Sequence, residues 1–285
     1  MTSLAADLRS GGTRVVGIMG WPIEHSLSPV IHNAAFRAMG LDWVYVPLPV
    51  RPGSQPQAFA GLAALGLTGA NVTMPYKRDA TRACAALSED AAVTGAVNTL
   101  VASPGGLHGH NTDVAGFERF LERDAGFDAR GKTALVYGAG GAARAVLLAL
   151  ARAGVERVTI AVRVPERARD MLEEVEDWAP TVHVVRWDSA AGVRADLIVN
   201  ASPAMLQREP ALPDVGPETV VLDLVYRPAD TGLVRLARSR GAAAFGGLGM
   251  LLHQAALSFE LWTGQFPPID VMSAAALAEL GAASR

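Results

Sequence analysis

A strand, a glycine-rich turn and a helix follow one another between residues 133 and 153, and this succession constrains the chain more than any other stretch. Thr133-Ala134-Leu135-Val136 is short, apolar and preceded by Gly131-Lys132, the pattern of a buried parallel strand. The turn reads Tyr137-Gly138-Ala139-Gly140-Gly141-Ala142-Ala143-Arg144. From Ala142 to Ala153 alanine and leucine recur at helical spacing, and Gly154 stops them. Glycines let such a turn close and let backbone amides approach a pyrophosphate, which then sits on the positive end of the helix dipole. Gly138-x-Gly140-x-x-Ala143 is a relaxed form of that dinucleotide fingerprint. Steric demands alone also produce glycine-rich turns, so the surrounding sequence has to decide.

At 285 residues the chain has room for two domains, each with its own core. A net charge of -3 speaks against a nucleic-acid partner, which calls for a basic face. No apolar run approaches the roughly 18 residues of a membrane span. The N-terminus, with Asp7 and Arg9 ahead of Gly11-Gly12, does not read as a secretory signal, and a cytoplasmic location is expected. The single cysteine, Cys84, rules out an internal disulfide and a multi-cysteine metal site. Its alanine-rich surroundings point to packing on a helix rather than to reactivity. The six histidines lack HExxH spacing, and there is no GxSxG elbow; no metal is expected.

In chain order, Val15 to Met19 reads as a strand, and Ser28-Pro29 as a helix start with serine at the N-cap and proline in the first turn. Ser26 and Ser28 are then loop and cap residues, or a pair whose hydroxyls and neighbouring amides bind a carboxylate. Trp43 to Pro47 is a second strand, and Ala58 to Leu65 a helix. Gly69 to Lys77 gives strand, sharp turn and helix start. Lys77 stands out because the chain carries only two lysines, Lys77 and Lys132, among 25 basic residues. A lysine that is partly buried near other charges can lose its proton, whereas arginine effectively cannot, so general acid/base work is one reason to keep it. Lys132, on a turn, reads as solvated.

Gly95 to Val101 reads as a strand, joined through Gly105-Gly106 to Leu107–His110 as a hairpin. Asp113 opens the next helix, either as its cap or as a polar group at a domain boundary, where clefts form. Val158 to Val162 is the second strand of the dinucleotide unit. Its tip normally carries the acid that accepts the ribose 2′-hydroxyl of NAD. Here Arg163 and Arg167 stand there instead, which suits the 2′-phosphate of NADP or simply a solvated helix start. Strands at 181–187, 196–200, 219–224 and 243–245 alternate with helices, the pattern of a parallel sheet. Gln254, in the apolar helix that follows, is a surface residue or a pocket hydrogen-bonder.

Pro22-Ile23-x-His25-Ser26-x-Ser28-Pro29, Asn71-Val72-Thr73-x-Pro75-x-Lys77, Gly95-Ala96-Val97-Asn98-Thr99 and Asn111-Thr112-Asp113 come in this order before the glycine turn. Asp223-x-x-Tyr226-x-Pro228-x-x-Thr231 and Met250-Leu251-x-x-Gln254-Ala255-Ala256 come after it. Together these motifs, from Gly17 to Gly264, resemble the shikimate dehydrogenase family. The resemblance implies an α/β fold of two domains, an α/β substrate domain and an inserted Rossmann-like dinucleotide-binding domain with a parallel sheet. The substrate and catalytic domain would be residues 1–112, completed by C-terminal helices of 247–285, with the NADP-binding domain at 113–246. It further implies reversible reduction of 3-dehydroshikimate to shikimate on the route to chorismate and the aromatic amino acids. Lys77 and Asp113 would be the catalytic pair. Ser26 and Ser28 would hold the substrate carboxylate, while Thr73, Asn98, Asp113, Tyr226 and Gln254 contact ring hydroxyls or carboxylate.

NADP would be the cofactor, with NAD as the alternative. Gly138, Ala139, Gly140, Gly141 and Ala142 would cradle its pyrophosphate, and Arg163 and Arg167 the 2′-phosphate. Leu224, Gly247 and Met250 would complete the nicotinamide side. The chain would act on a small molecule, as a monomer or homodimer, with neither nucleic acid nor membrane as partner. One departure bears on the cofactor: Val162-Arg163-Val164 stands where many NADP-using members carry Asn-Arg-Thr, which loosens the expected grip on the 2′-phosphate. A quinate/shikimate dehydrogenase using NAD or both cofactors is the near alternative. A catalytically idle dinucleotide-binding regulator fits less well, because Lys77 and Asp113 are both present. A tetrahydrofolate-linked dehydrogenase would have no use for the two serines.

Overall fold

Two compact units make up the chain, one formed by Met1–Asn111 with Ala255–Arg285 and the other by Thr112–Gln254. The structure, a computed structural model, describes residues 10–203 and 213–282. In the first unit β1 (Arg14–Gly20), β2 (Trp43–Pro49) and β3 (Gly69–Val72) alternate with α1 (Ser28–Ala38) and α2 (Gln55–Ala64). Then follow α3 (Lys77–Ala83), β4 (Ala86–Leu87), α4 (Glu89–Thr94), β5 (Thr99–Ser103) and β6 (Gly106–His110). The six strands lie in the order β2-β1-β3-β5-β6-β4.

This sheet is mixed, and its antiparallel β5–β6 pair is the hairpin expected around Gly105-Gly106. β1 runs parallel to β2 and β3, but β5 runs antiparallel to both β3 and β6. Two residues join β5 to β6, far short of the dozen or so that a parallel crossover needs. The strand expected from Gly95 begins only at Thr99. Gly95 closes α4 in the left-handed conformation, with φ of 58°, and Ala96 to Asn98 form a loop. On one face of the sheet Phe59, Leu62, Tyr76, Leu100 and Leu107 form a core. Elsewhere in the unit the His32 ring stacks on Tyr45 at 4.5 Å and on Phe259 at 6.2 Å.

The second unit opens with α5 (Thr112–Arg119), which runs on into a π-helical turn at Phe120–Asp124. Its strands are β7 (Thr133–Tyr137), β8 (Arg157–Val162), β9 (Thr181–Arg186), β10 (Leu197–Asn200), β11 (Val220–Asp223) and β12 (Ala243–Gly246). Helices α6 (Gly141–Arg152), α7 (Arg169–Val175) and α8 (Gly232–Ser239) connect them. The order β12-β11-β10-β7-β8-β9 is parallel throughout. Such strands are buried on both faces and read as continuous apolar runs, as Ala134 to Tyr137 and Leu197 to Val199 do. On α6 every residue from Ala143 to Leu150 is buried, and the helix packs on α5.

Helix α9 (Leu248–Thr263) passes from the second unit to the first, and α10 (Ile269–Ala282) packs on α1. The two compact units part within α9, between Gln254 and Ala255. The first turns of α9 stay with the second unit, where His253 Nε2 lies 3.1 Å from Asp124 Oδ1. Among the described residues no helix is long and apolar enough to cross a membrane.

Candidate active site

Three segments meet at one end of the first sheet. β1 and β3 leave it side by side: the Thr73 amide donates to the Met19 carbonyl at 2.8 Å, and the Trp21 amide to Met74 at 3.1 Å. Because β5 runs against β3, its start lies at this same end, where the Val72 amide donates to the Asn98 carbonyl at 2.8 Å. The Lys77 carbonyl accepts from the Val97 amide at 2.9 Å. These bonds gather the turn carrying Thr73 and Lys77 beside Asn98, with the loop that carries Ser26 and Ser28 leaving from the adjacent β1. Lys77 is the first residue of α3 and is partly exposed, as are Ser26 and Thr73; Ser28 and Asn98 are buried.

Ser28 is not the N-cap of α1. Leu27, already in the right-handed helical conformation, occupies that position, and no side chain caps it. Ser26 does part of the work instead, its Oγ accepting from the Ser28 amide at 3.2 Å. The two hydroxyls are thus held at one helix start, as a carboxylate site requires. Cys84 ends α3 rather than lying within it, and its Sγ donates to the Ala80 carbonyl at 3.1 Å. Burial pushes its thiol up to about 11, which keeps it unreactive near neutrality.

In the second unit the chain moves outward from β7 through β8 to β9, then restarts on the other side of β7 with β10. A crevice opens where the direction reverses, at the carboxyl ends of the strands, and dinucleotides bind there in folds of this order. Gly138 to Gly141 leave β7 at this point and enter α6. Gly138 has φ of 110°, and a Cβ there would lie 3.1 Å from the Ala201 carbonyl of the chain leaving β10. Gly140, the N-cap of α6, has an ordinary φ of -87°, and a Cβ there would meet no described atom within 4 Å. Packing among the described residues accounts for Gly138 but not for Gly140. A bare backbone facing open space at a helix N-terminus fits the close approach of a pyrophosphate.

Arg144, which sequence reasoning passed over, is buried and its Nη1 donates to the Ala139 carbonyl at 3.2 Å, fixing a positive charge beside the turn. Its place in the first turn of α6 is the signal that marks it. Arg163 is exposed at the tip of β8, its guanidinium carbon 5.9 Å from the centre of the Trp187 ring. The Arg167 side chain lies outside the described residues. At β11 the buried Asp223 accepts from Asn200 Nδ2 at 2.7 Å, the Val225 amide at 3.0 Å and Thr231 Oγ1 at 2.6 Å. Burial raises its carboxyl above the ordinary value, while those hydrogen bonds pull the other way. They fix the ends of the loop that carries Leu224 and Tyr226. A Cβ on Gly247 would overlap the Leu224 carbonyl, so glycine is what lets α9 begin against that loop.

Asp113 sits inside the first turn of α5, buried. Met250 is buried in α9, and Gln254 Nε2 donates to the Leu251 carbonyl of the same helix at 2.8 Å. Asp113, Tyr226 and Gln254 belong to the second unit, whereas Ser26, Ser28, Thr73, Lys77 and Asn98 belong to the first. Lys132 is more than a solvated turn residue: its Nζ lies 3.8 Å from Asp196 Oδ1.

A doubly wound sheet with a glycine turn at its switch point, joined to a mixed α/β unit with a lysine at a helix start, defines a two-domain dinucleotide-binding oxidoreductase. Three family models match the chain: "Shikimate dehydrogenase substrate binding domain" over residues 18–100, "Shikimate / quinate 5-dehydrogenase" over 121–206 and "Shikimate 5'-dehydrogenase C-terminal domain" over 247–277. A relative from Desulforamulus reducens, named shikimate dehydrogenase (NADP(+)), is 41% identical over 92% of this chain and 94% of its own. A crystal structure of a shikimate dehydrogenase in complex with NADP+ superposes with a TM-score of 0.89 at 36% identity, covering 96% of this chain and 98% of that one. Quinate dehydrogenase from Corynebacterium glutamicum, in complex with NAD, gives a TM-score of 0.85 at 31% identity, over 93% and 99%. The chain belongs to the shikimate dehydrogenase family.

Proposed function

We propose that this protein is an NADP-dependent shikimate dehydrogenase, interconverting 3-dehydroshikimate and shikimate. The observation that carries the reading is the gathering of Thr73, Lys77 and Asn98 at the end of the first sheet from which the Ser26/Ser28 loop departs. Reduction of a ketone needs a hydride on carbon and a proton on oxygen. NADPH, when bound, supplies the hydride. Lys77 supplies the proton from its ammonium to the carbonyl oxygen and, as the neutral amine, takes it back from the alcohol in the reverse direction. Asp113 acts with it as the partner of the acid/base pair. Ser26 and Ser28 bind the substrate carboxylate, and Thr73, Asn98, Tyr226 and Gln254 its hydroxyls or carboxylate.

The residues at the crevice fit the cofactor on the ground of Gly140, where a Cβ would meet none of the described residues within 4 Å. Gly138 to Ala142 would hold the pyrophosphate, and Arg163 and Arg167 the 2′-phosphate. Leu224, Gly247 and Met250 would line the nicotinamide side. The first unit binds substrate and the second the dinucleotide. As a member of an oxidoreductase family acting on a soluble metabolite, the protein works in the cytoplasm on a small molecule, as a monomer or homodimer.

One observation keeps a second reading in view. Val162 and Val164 flank Arg163 with apolar groups, Val164 being 42% exposed, and neither offers a hydrogen bond to a phosphate. A quinate/shikimate dehydrogenase using NAD fits that pair better. Initial rates with shikimate or quinate, each with NADP+ or NAD+, decide between them. Turnover confined to shikimate with NADP+ is the expected result. Comparable rates with quinate or NAD+ favour the second reading, and no turnover in any combination sinks both.

A further inference from the structure

The register of the second sheet sets an aromatic ring beside the arginine at the tip of β8. β8 and β9 run parallel with Val162 opposite Arg186, so the next residue of each chain, Arg163 and Trp187, leaves the sheet beside the other. The Arg163 guanidinium carbon lies over the Trp187 ring, 5.9 Å from its centre, within the range of a cation–π contact. Trp187 opens a 3-10 turn, Trp187–Gly192, and is buried in the core that holds Tyr137, Ala161 and Ala190. Its ring and that of Tyr137 meet edge to face at 6.2 Å. Tyr137 is the last residue of β7, directly before Gly138, so one aromatic pair joins the glycine turn to the arginine of the neighbouring strand. The indole nitrogen of Trp187 is buried with no hydrogen-bond partner among the described residues. An unmet N–H costs stability, and a phenylalanine would fill the core without one. What the indole adds is the aromatic face that attracts a cation best.

We propose that Trp187 is a positioning residue for cofactor discrimination: it holds Arg163 by one face and so presents the N–H groups of the arginine to the 2′-phosphate of NADP. A guanidinium is planar with its donors in the plane, so a ring against its face leaves them free for phosphate oxygens. An exposed arginine otherwise spreads over many rotamers, and ordering it is part of what binding costs. Contact with Trp187 meets part of that cost before the cofactor arrives. The contribution matters in this chain because Val162 and Val164, on either side of Arg163, have no side-chain donor of their own. NAD carries no phosphate at that position, so its binding is indifferent to how Arg163 is held. The inference rests on Arg163 reading the 2′-phosphate, as proposed above.

The test is a calorimetric titration of the full chain with 2′-phospho-ADP-ribose and with ADP-ribose, two ligands that differ only in the 2′-phosphate. The wild type is expected to prefer the phosphorylated one. Trp187→Leu keeps an apolar side chain without a π face. It is expected to weaken 2′-phospho-ADP-ribose about threefold to fivefold and ADP-ribose by less than about 1.5-fold. Trp187→Phe, which keeps a ring, falls between the leucine variant and the wild type. In an Arg163→Ala background Trp187→Leu changes neither affinity, since no guanidinium is left to hold. Equal weakening of both ligands, an unchanged preference, or the same loss without Arg163 overturns the proposal and leaves Trp187 a core residue only. Trp187→Met replaces the leucine variant if that fails to fold. A wild type that binds both ligands equally removes the reading of Arg163 itself. A preference that Arg163→Ala abolishes and Trp187→Leu leaves intact removes only the role of Trp187.

Discussion

Gly138 and Gly140 hold the same turn for different reasons, and the difference can be measured. Gly138 is fixed by its φ of 110° and by the Ala201 carbonyl 3.1 Å from where a Cβ would sit, so Gly138→Ala should cost about 1–2 kcal/mol of stability. Gly140 has neither constraint. Gly140→Ala should leave stability within about 0.5 kcal/mol of wild type, yet weaken NADP+ binding about tenfold or more by filling the space a pyrophosphate needs. Thermal melting alongside a fluorescence titration of the cofactor separates the two effects; unchanged affinity would remove Gly140 from the site. Arg163 is the other residue on which the cofactor reading turns. Its guanidinium rests over Trp187 with its edge exposed, and Arg163→Ala should raise KM for NADP+ while barely changing that for NAD+. An equal effect on both cofactors would show that it does not read the 2′-phosphate.

Among elements, the loop between β11 and α8 depends most on a single side chain. Asp223 accepts hydrogen bonds from Asn200, Val225 and Thr231 and so ties β10, the loop and the start of α8 together. Asp223→Ala leaves those donors without their acceptor and should destabilise the protein by about 2–3 kcal/mol. Chemical denaturation checks this, and a loss below about 0.5 kcal/mol would mean the loop is held by something else. Much of the element order was readable from the chain. β7, the glycine turn and α6 follow from local pattern, because a buried parallel strand and a glycine-started helix each leave a short-range trace. Where three-dimensional pairing decided, the local signal failed. Ser28 looks like a cap because it precedes proline, but the conformation of Leu27 begins the helix one residue early. Gly95 to Asn98 are apolar enough for a strand, yet the left-handed Gly95 and the turn toward Lys77 delay β5 to Thr99. The candidate substrate residues were named by motif, while the buried contact between Thr99 Oγ1 and Ser258 Oγ was not. Thr99 and Ser258 lie 159 residues apart, and no periodicity links them.

On the scale of the whole molecule, its stability in acid and its chemistry each rest on a proton. Burial of His32 among aromatic rings drives its imidazole down to about 3, so the folded protein keeps it neutral where the unfolded chain takes up a proton near pH 6.5. Unfolding thus binds a proton between about pH 6.5 and pH 3, and stability falls as pH drops through that window by about 1.4 kcal/mol per unit. His32→Phe, which keeps an aromatic ring in the stack, should flatten that part of the stability-against-pH curve; an unaltered slope would place the acid sensitivity elsewhere. On the proposed reading Lys77, in the first unit, gives the proton, and the second unit would hold the hydride donor. The most direct test is the Lys77→Ala variant, assayed with 3-dehydroshikimate and NADPH beside a titration of NADPH binding. The reading of Lys77 as the acid predicts a fall in kcat of about 10²–10⁴-fold with cofactor affinity and substrate KM close to wild type. Turnover within about threefold of wild type would contradict it, since no proton donor worth the name would have been removed.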